Sequence, residues 1–204
     1  FSEAVYQKKC EVEGVKAQLA DNLDSIDKIW KRGIIAVIVD PDWKSVKKIN
    51  PYVVIDAIMA KKNIGTKKNE APVVIGVGPG FSAPVDVHAV VESNRGHYLG
   101  KVIYKGFAEP HTGIPGPVMN YTTERVLRAP HGGIIKHKKQ IGDEVKKGDT
   151  VMFVDKTPVK APFGGILRGL IREIKVVQNE KIGDVDPRGI REHCFAITEK
   201  ARAI

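Results

Sequence analysis

A lysine that could carry a prosthetic group lies between two similar segments of this sequence. The segments are "RAPHGGIIKHKKQIGDEVKKGD" (128–149) and "KAPFGGILRGLIREIKVVQNEKIGD" (160–184), and Lys156 stands at an expected turn between them. A lysine amine at a turn can be acylated, so a carrier function is one interpretation. Thr157 and Pro158 follow it, and because proline restricts the backbone we expect a stiffened turn. The sequence therefore favours a scaffold role for this hairpin over a carrier role.

A glycine-rich loop, "GVGPGF", follows a predicted buried strand. Backbone amides bared by Gly76, Gly78 and Gly80 could bind a phosphate or a carboxylate. The loop lies at the carboxyl end of a strand, where open α/β sheets bind ligands. The glycine spacing is not the dinucleotide fingerprint, and the residues that follow are typical of a strand rather than a helix. A plain turn is the alternative interpretation, and the spacing favours it.

Charged residues that suit an anionic ligand follow this loop. The segment "DVHAVVESNRGH" places Asp86, His88 and Glu92 on one face of a predicted strand. Arg95 and His97 come next in a glycine-containing loop, and both side chains can bind an anionic cofactor group. The alternative is a solvated edge or a salt bridge to the neighbouring domain.

Two further candidates lie near the end of the chain. Arg188, in "DPRG", is expected to fold back onto the first domain, where a structural role is favoured. Cys194 could handle selenium or sulfur as a thiolate, but it stands alone, and a buried structural cysteine is the favoured interpretation. The six histidines lack metal-ligand spacing, and no catalytic triad or carboxylate pair is recognisable. We therefore predict neither a metal nor a catalytic residue.

The composition narrows the class of protein. The net charge is +9, but the lysines are scattered and aromatic residues make up only 6%, so nucleic-acid binding is not expected. No apolar run is long enough to span a bilayer, and no signal-peptide layout is seen, so no membrane association is expected. Two distant cysteines favour a reducing cytoplasm. Because the first residue is Phe1, we expect that the sequence starts within a longer protein or lacks its early residues.

Alternating helix and strand signals predict an α/β domain over residues 1–108. Helices are expected in "DNLDSIDKIWKRG" and "DWKSVKKIN", and buried strands in "IIAVIVDP", "YVVIDA" and "APVVIGVG". Continuous β-branched runs are typical of parallel strands that are covered on both faces. The expected fold is a mainly parallel, Rossmann-like sheet whose first strand lies upstream of this sequence.

The second half of the chain predicts an all-β domain. Residues 109–124 are proline-rich and are expected to form a linker, residues 125–185 the β domain, and residues 186–204 a tail that packs on the first domain and closes with a helix. Each of the two similar segments offers an apolar face that only its twin can cover, so they predict a small closed β sandwich. The expected core positions are Ile134, Ile141, Val145, Val151, Ile166, Leu170, Ile174 and Val176.

This β domain resembles the biotinyl/lipoyl domain, a barrel-sandwich hybrid with two quasi-symmetric halves. The segment "IGDEVKKGD" carries the resemblance most strongly. The resemblance implies a carrier lysine at the tip of the hairpin between the halves, close to Lys156. The sequence departs from it in two ways, since the arm from Gly142 to Lys156 is short and the Met-Lys-Met surroundings of biotin carriers are missing.

Across its whole length the chain shows a second resemblance. The motifs "FSEAVYQ", "DAIMAKKNIGT", "APVVIGVGPGF", "VESNRGHYLGKVIY" and "TGIPGPVM" are similar to those of the selenium-dependent molybdenum hydroxylase system proteins, a family of bacterial accessory proteins. The resemblance implies a further upstream strand with a glycine-rich turn. It also implies a role in maturing hydroxylases that carry a molybdopterin cofactor and a labile selenium, with the hydroxylase as partner.

The function that we expect is that of a non-catalytic accessory protein. The first domain would bind a molybdopterin-type cofactor or a nucleotide without a covalent bond, and the β domain would dock to the hydroxylase. One alternative is a carrier that uses Lys156. Another is an NAD(P)-dependent oxidoreductase with its nucleotide site upstream.

Overall fold

A computed structural model describes all 204 residues, which form two compact units. Unit 1 contains Phe1–Thr112 and Ile197–Ile204, and unit 2 contains Gly113–Ala196. The chain is a mixed α/β protein with several sheets. The observed boundaries differ from the expected ones, because residues 109–112 belong to unit 1 and residues 186–196 to unit 2.

The first sheet of unit 1 has three strands, β1 (Lys9–Val12), β2 (Val15–Leu19) and β3 (Ile35–Val37). β1 and β2 form an antiparallel hairpin, and β3 pairs with β2 in parallel. We expected a strand buried on both faces over residues 34–41. The observed strand is shorter and partly exposed, because β3 is an edge strand with a single neighbour.

Short helices flank this sheet. Helix α1 (Ala4–Gln7) precedes β1, and helix α2 (Ile26–Trp30) lies between β2 and β3 after a 3-10 turn. Oδ1 of Asn22 accepts the amide of Ser25 at 3.0 Å, which satisfies a donor left free where the helix begins. The predicted helix in this region is confirmed. Its buried face contributes to a small core of Ala20, Ile26 and Ile29.

The second sheet of unit 1 has four strands. β4 (Val53–Asp56), β5 (Val73–Val77) and β6 (Ala89–Val91) run parallel, and β7 (Val102–Ile103) pairs antiparallel with β6. Helix α3 (Ser45–Ile49) packs against one face. β4 alternates between exposed and buried residues instead of being buried on both faces, because it lies at the sheet edge with only one face covered. The core under α3 comprises Val46, Val54, Val74, Phe81, Ala83, Val87, Val90 and Ala108.

The segment between β5 and β6 is a turn rather than a strand. Oδ2 of Asp86 accepts the Ser82 amide at 2.9 Å, and the Asp86 amide donates to the Ser82 carbonyl at 2.8 Å. Nδ1 of His88 accepts a backbone amide of β5 at 2.9 Å. The expectation that Asp86, His88 and Glu92 share a strand face is therefore wrong, because the chain becomes extended only at Ala89.

Unit 2 consists of two four-stranded antiparallel sheets. In sheet order, one contains β10, β13, β15 and β8, and the other contains β12, β11, β9 and β14. The strands are β8 (Val126–Arg128), β9 (Gly133–His137), β10 (Glu144–Val145), β11 (Thr150–Val154), β12 (Thr157–Lys160), β13 (Gly165–Leu170), β14 (Lys175–Val176) and β15 (Lys181–Asp186).

Each sheet draws strands from both similar segments, so the two segments cover each other around one core. The predicted core positions Val145, Val151, Ile166 and Val176 are buried, and Leu170 packs at the margin of that core. The prediction is wrong for three isoleucines, because their side chains are exposed. These are Ile134, Ile141 and Ile174.

The chain closes with helix α4 (Glu199–Ala203), which belongs to unit 1 and confirms the predicted terminal helix. Oγ1 of Thr198 caps it by accepting the Ala201 amide at 3.2 Å. Gly100, at φ +82°, lies directly under the helix, because a Cβ there would stand 2.3 Å from the Ala203 carbonyl oxygen. None of the helices combines the length and the apolar character that crossing a bilayer requires.

Candidate anion-binding site

The glycine-rich loop is held by close backbone packing. Gly76 is an internal residue of β5, and a Cβ there would stand 2.5 Å from the Phe81 ring. Gly78, at φ +83°, donates its amide to the Val91 carbonyl at 2.8 Å. Gly80, at φ +113°, lies at the loop tip. Gly80 is therefore the remaining candidate among the three glycines for an amide that binds a ligand.

Gly80 also brings a second loop into the site. A Cβ at Gly80 would stand 2.5 Å from Cα of Lys62, so the two backbones are in direct contact. The Lys62 loop leaves the carboxyl end of β4, and the Gly80 loop leaves the carboxyl end of β5. Because these strands run parallel, both loops lie at the same edge of the sheet.

Three cations gather at this edge. Burial lowers the pKa of Lys200 below its ordinary value, and the nearby positive charges of Lys61 and Arg95 lower it further. Arg95 is also paired with Glu199, with 3.0 Å between Nε and Oε1. Glu92 acts in the opposite direction and raises the Lys200 pKa. The cluster thus has three cationic side chains, Lys61, Arg95 and Lys200, and two acidic ones, Glu92 and Glu199.

Glu92 is a buried part of the frame rather than a solvated strand residue. Its Oε1 accepts the Asn94 amide at 2.7 Å, and its Oε2 accepts the Glu109 amide at 2.7 Å. These two bonds fix the loop that carries Arg95. The same buried carboxylate raises the pKa of Lys200.

His97 has a different neighbour from the cations. Its ring packs edge-on against Tyr98 with 5.3 Å between centroids, and the ammonium group of Lys101 lies 4.6 Å from the centre of the Tyr98 ring. His97 is exposed. His97 therefore has an aromatic contact. Of the two predicted residues, Arg95 and His97, only Arg95 acts on the pKa of Lys200.

Arg188 belongs to unit 2, where it binds a buried aspartate. Its Nη2 lies 2.6 Å from Oδ2 of Asp186, and its Nε donates to Oδ1 at 2.9 Å. Arg168 contacts the same carboxylate at 3.3 Å. Burial raises the pKa of Asp186, but hydrogen bonds from Arg188 and the charges of both arginines outweigh it and hold the pKa below its usual value.

Lys156 lies at the tip of the tight turn between β11 and β12 and is exposed. Asp155, at φ +50°, anchors the turn to β9, because its amide donates to the Ile134 carbonyl at 2.8 Å and its Oδ1 accepts the Ile134 amide at 2.9 Å. Pro158 lies within β12 opposite Phe153. The expectation that proline stiffens the turn is wrong, since Pro158 occupies an edge strand, where a missing amide donor is tolerated.

Cys194 is partly buried in unit 2. Its Sγ lies 3.8 Å from the Leu167 carbonyl, and burial raises the pKa of its thiol. A raised pKa disfavours the thiolate that sulfur or selenium chemistry needs. No group of three or more histidine, cysteine or acidic side chains is arranged to hold a metal ion.

Two members of the cluster, Lys61 and Lys200, were not among the predicted site residues. Lys61 stands in the lysine pair of "DAIMAKKNIGT", a motif that signals a loop but not its neighbours. Lys200 lies in the terminal helix. It is close to Lys61 and Arg95 because residues 197–204 belong to unit 1, although residues 113–196 before them form unit 2. The local sequence does not indicate that residues 197–204 belong to unit 1.

Comparisons with known proteins give one sequence relative. No family model matches the chain. It is 46% identical over 205 residues to YqeB, an uncharacterized protein of Escherichia coli K12, and this match includes 100% of the chain. The chain spans 38% of the length of YqeB.

Two solved structures show only a loose likeness. An aspartoacylase family protein from Mesorhizobium loti is 20% identical, with a TM-score of 0.29 over 41% of this chain and 32% of its own. The ectoine utilization protein EutE from Ruegeria pomeroyi is 16% identical, with a TM-score of 0.29 over 42% of this chain and 28% of its own. Likeness at this level carries no argument about the fold or function of this chain.

Proposed function

We propose that unit 1 binds the phosphate of an anionic cofactor or nucleotide, and that the chain serves in the maturation of selenium-dependent molybdenum hydroxylases. The binding proposal is supported by two observations: Lys61 and Arg95 are charged neighbours of Lys200, and Lys61 directly precedes Lys62, whose backbone contacts Gly80. Burial of Lys200 and the nearby positive charges of Lys61 and Arg95 lower the pKa of Lys200. A phosphate dianion would relieve the repulsion between these charges, and a nearby anion favours the charged form of a lysine.

The maturation role rests on the family motifs of the sequence. Two structural features are consistent with the Rossmann-like domain and the biotinyl/lipoyl-like domain that the sequence predicts. The parallel strands β4, β5 and β6 suit a Rossmann-like domain, and the two antiparallel sheets of unit 2 around one core suit a barrel-sandwich hybrid. A molybdopterin-type cofactor and a nucleotide both present a phosphate, so both fit the same cluster.

Binding is tested by calorimetric titration of the chain with ATP, NADPH and a pterin phosphate. The variant Lys200→Met should weaken binding of the accepted ligand by at least about tenfold, because a charge-assisted hydrogen bond contributes roughly 1.5–3 kcal/mol. The matched control is Lys28→Met, an exposed lysine of α2, which should bind as the unaltered chain does. Failure of all three ligands to bind, or equal affinity in both variants, would refute the binding proposal.

The maturation role has a separate test. Purified protein of natural length is added to a hydroxylase produced without its accessory factors, and hydroxylase activity is followed. Activity should rise with the added protein and should rise less with Lys200→Met. If activity is unchanged by the unaltered protein while the phosphate ligand still binds, the maturation role is wrong and the binding site stands.

A second candidate function is a carrier, and the exposed position of Lys156 at a tight, anchored turn is the observation that favours it. Intact mass spectrometry of the protein isolated from its native host tests this. A carrier shows an added mass that is lost in Lys156→Arg. An unmodified native mass eliminates this candidate.

A further inference from the structure

A cavity of about 470 Å³ lies in unit 1 beside the hairpin that joins β6 and β7. Its lining combines aromatic and aliphatic side chains with a few charged ones, which is the usual composition of a small-molecule site. The cations of the anion cluster are not part of this lining. The lining residues that decide what could bind are Tyr98, Lys101, Ile103, Phe107, Glu109 and Pro110.

Hydrogen bonds hold the two backbone segments that form the cavity. In the hairpin, the Lys101 amide donates to the Tyr98 carbonyl at 2.9 Å, and the Glu92 amide donates to the Lys101 carbonyl at 2.9 Å. The second segment is 107–110, and its Glu109 amide donates to Oε2 of Glu92 at 2.7 Å. Glu92 therefore ties the second segment to the hairpin.

Two aromatic side chains of the lining are available to a ligand. Phe107 is 72% exposed and Tyr98 is 53% exposed, although phenylalanine is among the residues most often buried in folded proteins. An exposed aromatic face beside a cavity is a surface on which a heteroaromatic ring can stack. We therefore expect the ligand of this cavity to contain a planar ring.

The charged groups of the lining decide which ring fits. The side-chain amide of Asn94 donates to Oε2 of Glu109, so Oε1 of Glu109 remains to accept from a ligand. A carboxylate has about four acceptor sites, so Glu109 can accept two adjacent N–H groups as well. The ammonium group of Lys101 lies 4.6 Å from the centre of the Tyr98 ring and can donate to a carbonyl oxygen.

We propose that this cavity binds an amino-oxo-pyrimidine ring, the unit that guanine and pterin share. Along one edge of that ring, the amino group and the ring N–H would donate to Glu109, and the carbonyl oxygen would accept from Lys101. The flat face of the ring would stack on Phe107. Adenine fits less well, because a ring nitrogen that accepts hydrogen bonds stands next to its amino group and would face the Glu109 carboxylate.

The cavity and the anion cluster are neighbours through Glu92, which lines the cavity and also acts on the pKa of Lys200. Arg95 of the cluster directly follows Asn94, whose side chain binds Glu109. One ligand that carries both a ring and a phosphate can therefore contact both sites. This step rests on the proposed function, whereas recognition of the ring does not depend on the phosphate.

Ligands without a phosphate test the ring site by itself. An NMR titration of the isotope-labelled chain with guanosine, neopterin and adenosine gives a dissociation constant for each from the amide shifts of Phe107 and Glu109. Guanosine or neopterin should bind at least about tenfold more tightly than adenosine, because a misplaced acceptor leaves polar groups of the site unpaired. The tighter of the two identifies the source of the ring as a guanine nucleotide or a pterin.

The variant Glu109→Gln tests the acceptor. It should weaken binding of the tighter ring by at least about tenfold, because a charge-assisted hydrogen bond is lost. The matched control is Glu11→Gln, which replaces an exposed carboxylate of β1 and should bind as the unaltered chain does. Amide signals of Glu109→Gln that are unchanged away from the cavity show that this variant is folded.

Three results would overturn the ring proposal: adenosine binds as tightly as guanosine and neopterin, neither guanosine nor neopterin binds, or Glu109→Gln binds as tightly as Glu11→Gln. Inorganic pyrophosphate tests the phosphate site separately in the same sample. Shifts at Gly80 with pyrophosphate, but none at Phe107 with the rings, overturn the ring proposal and support the proposed function. The reverse pattern supports the ring proposal and overturns the phosphate site.

Discussion

Replacement of Gly80 by alanine is the sharpest structural perturbation of the candidate site. At φ +113° an alanine is strained wherever it stands, by about 1–3 kcal/mol. At Gly80 its Cβ would also lie 2.5 Å from Cα and 2.7 Å from N and C of Lys62. Carbon atoms prefer separations of about 3.5–4.0 Å, so the Lys62 backbone must move by roughly 1 Å. Such overpacking adds about 1–3 kcal/mol.

Gly106 is a matched control for this strain. Its φ is +114°, and a Cβ there would meet no atom within 4 Å. Gly106→Ala therefore has the backbone strain without the collision. The free energy of unfolding of unit 1 should fall by about 1–3 kcal/mol more in Gly80→Ala than in Gly106→Ala.

Urea unfolding followed by tryptophan fluorescence measures this difference. Both tryptophans of the chain, Trp30 and Trp43, lie in unit 1, so the signal reports on that unit alone. With a denaturant slope of about 1–3 kcal/mol per molar, the Gly80→Ala midpoint should lie roughly 1 M below that of Gly106→Ala. Equal midpoints would refute the claim that the Gly80 and Lys62 loops are in backbone contact.

Three further predictions concern ionisable side chains. Anion binding should decline as pH rises, beginning below the ordinary lysine value of 10.5 because the Lys200 pKa is lowered, and calorimetry of Lys200→Met should show a flatter profile. Asp186→Asn should destabilise unit 2 by about 3–5 kcal/mol in thermal unfolding followed by circular dichroism, since it leaves Arg168 and Arg188 without their buried partner. Because the folded pKa of Asp186 is below 3.8, its stabilisation is present above that pH and is lost as pH falls through the folded value, so acid unfolding of the variant should show less pH dependence. Cys194 should react with a thiol reagent more slowly than an exposed model thiol at pH 8, because burial raises its pKa, and equal rates would contradict this.

The sequence predicts what depends on local pattern. The similar segments predict the core of unit 2, since Val145 and Val176 come from different segments and are buried in one cluster. The apolar pattern of the sequence predicts positions at the ends of strands less well than positions inside them. Ile174 lies beside β14 and is exposed, because a single-residue shift along a strand moves a side chain to the opposite face.

Long-range contacts account for what the sequence does not predict. Arg95 was a candidate, but its partner Glu199 is 104 residues away, and the Lys200 next to it shows no local signal. The glycine loop was predicted as three equivalent amides. The structure distinguishes them, because Gly76 is internal to a strand and Gly78 already donates to Val91, and those pairings depend on sheet order.

An NMR titration tests most directly whether the sheet edge beside Gly80 binds a phosphate-bearing ligand. Backbone amide shifts of the isotope-labelled chain are followed as inorganic pyrophosphate is added. The amide of Gly80 and the side-chain signals of Lys200 should shift together to saturation, while the Gly106 amide stays in place. Saturation at other residues, with the Gly80 and Lys200 signals unchanged, would contradict binding at this edge.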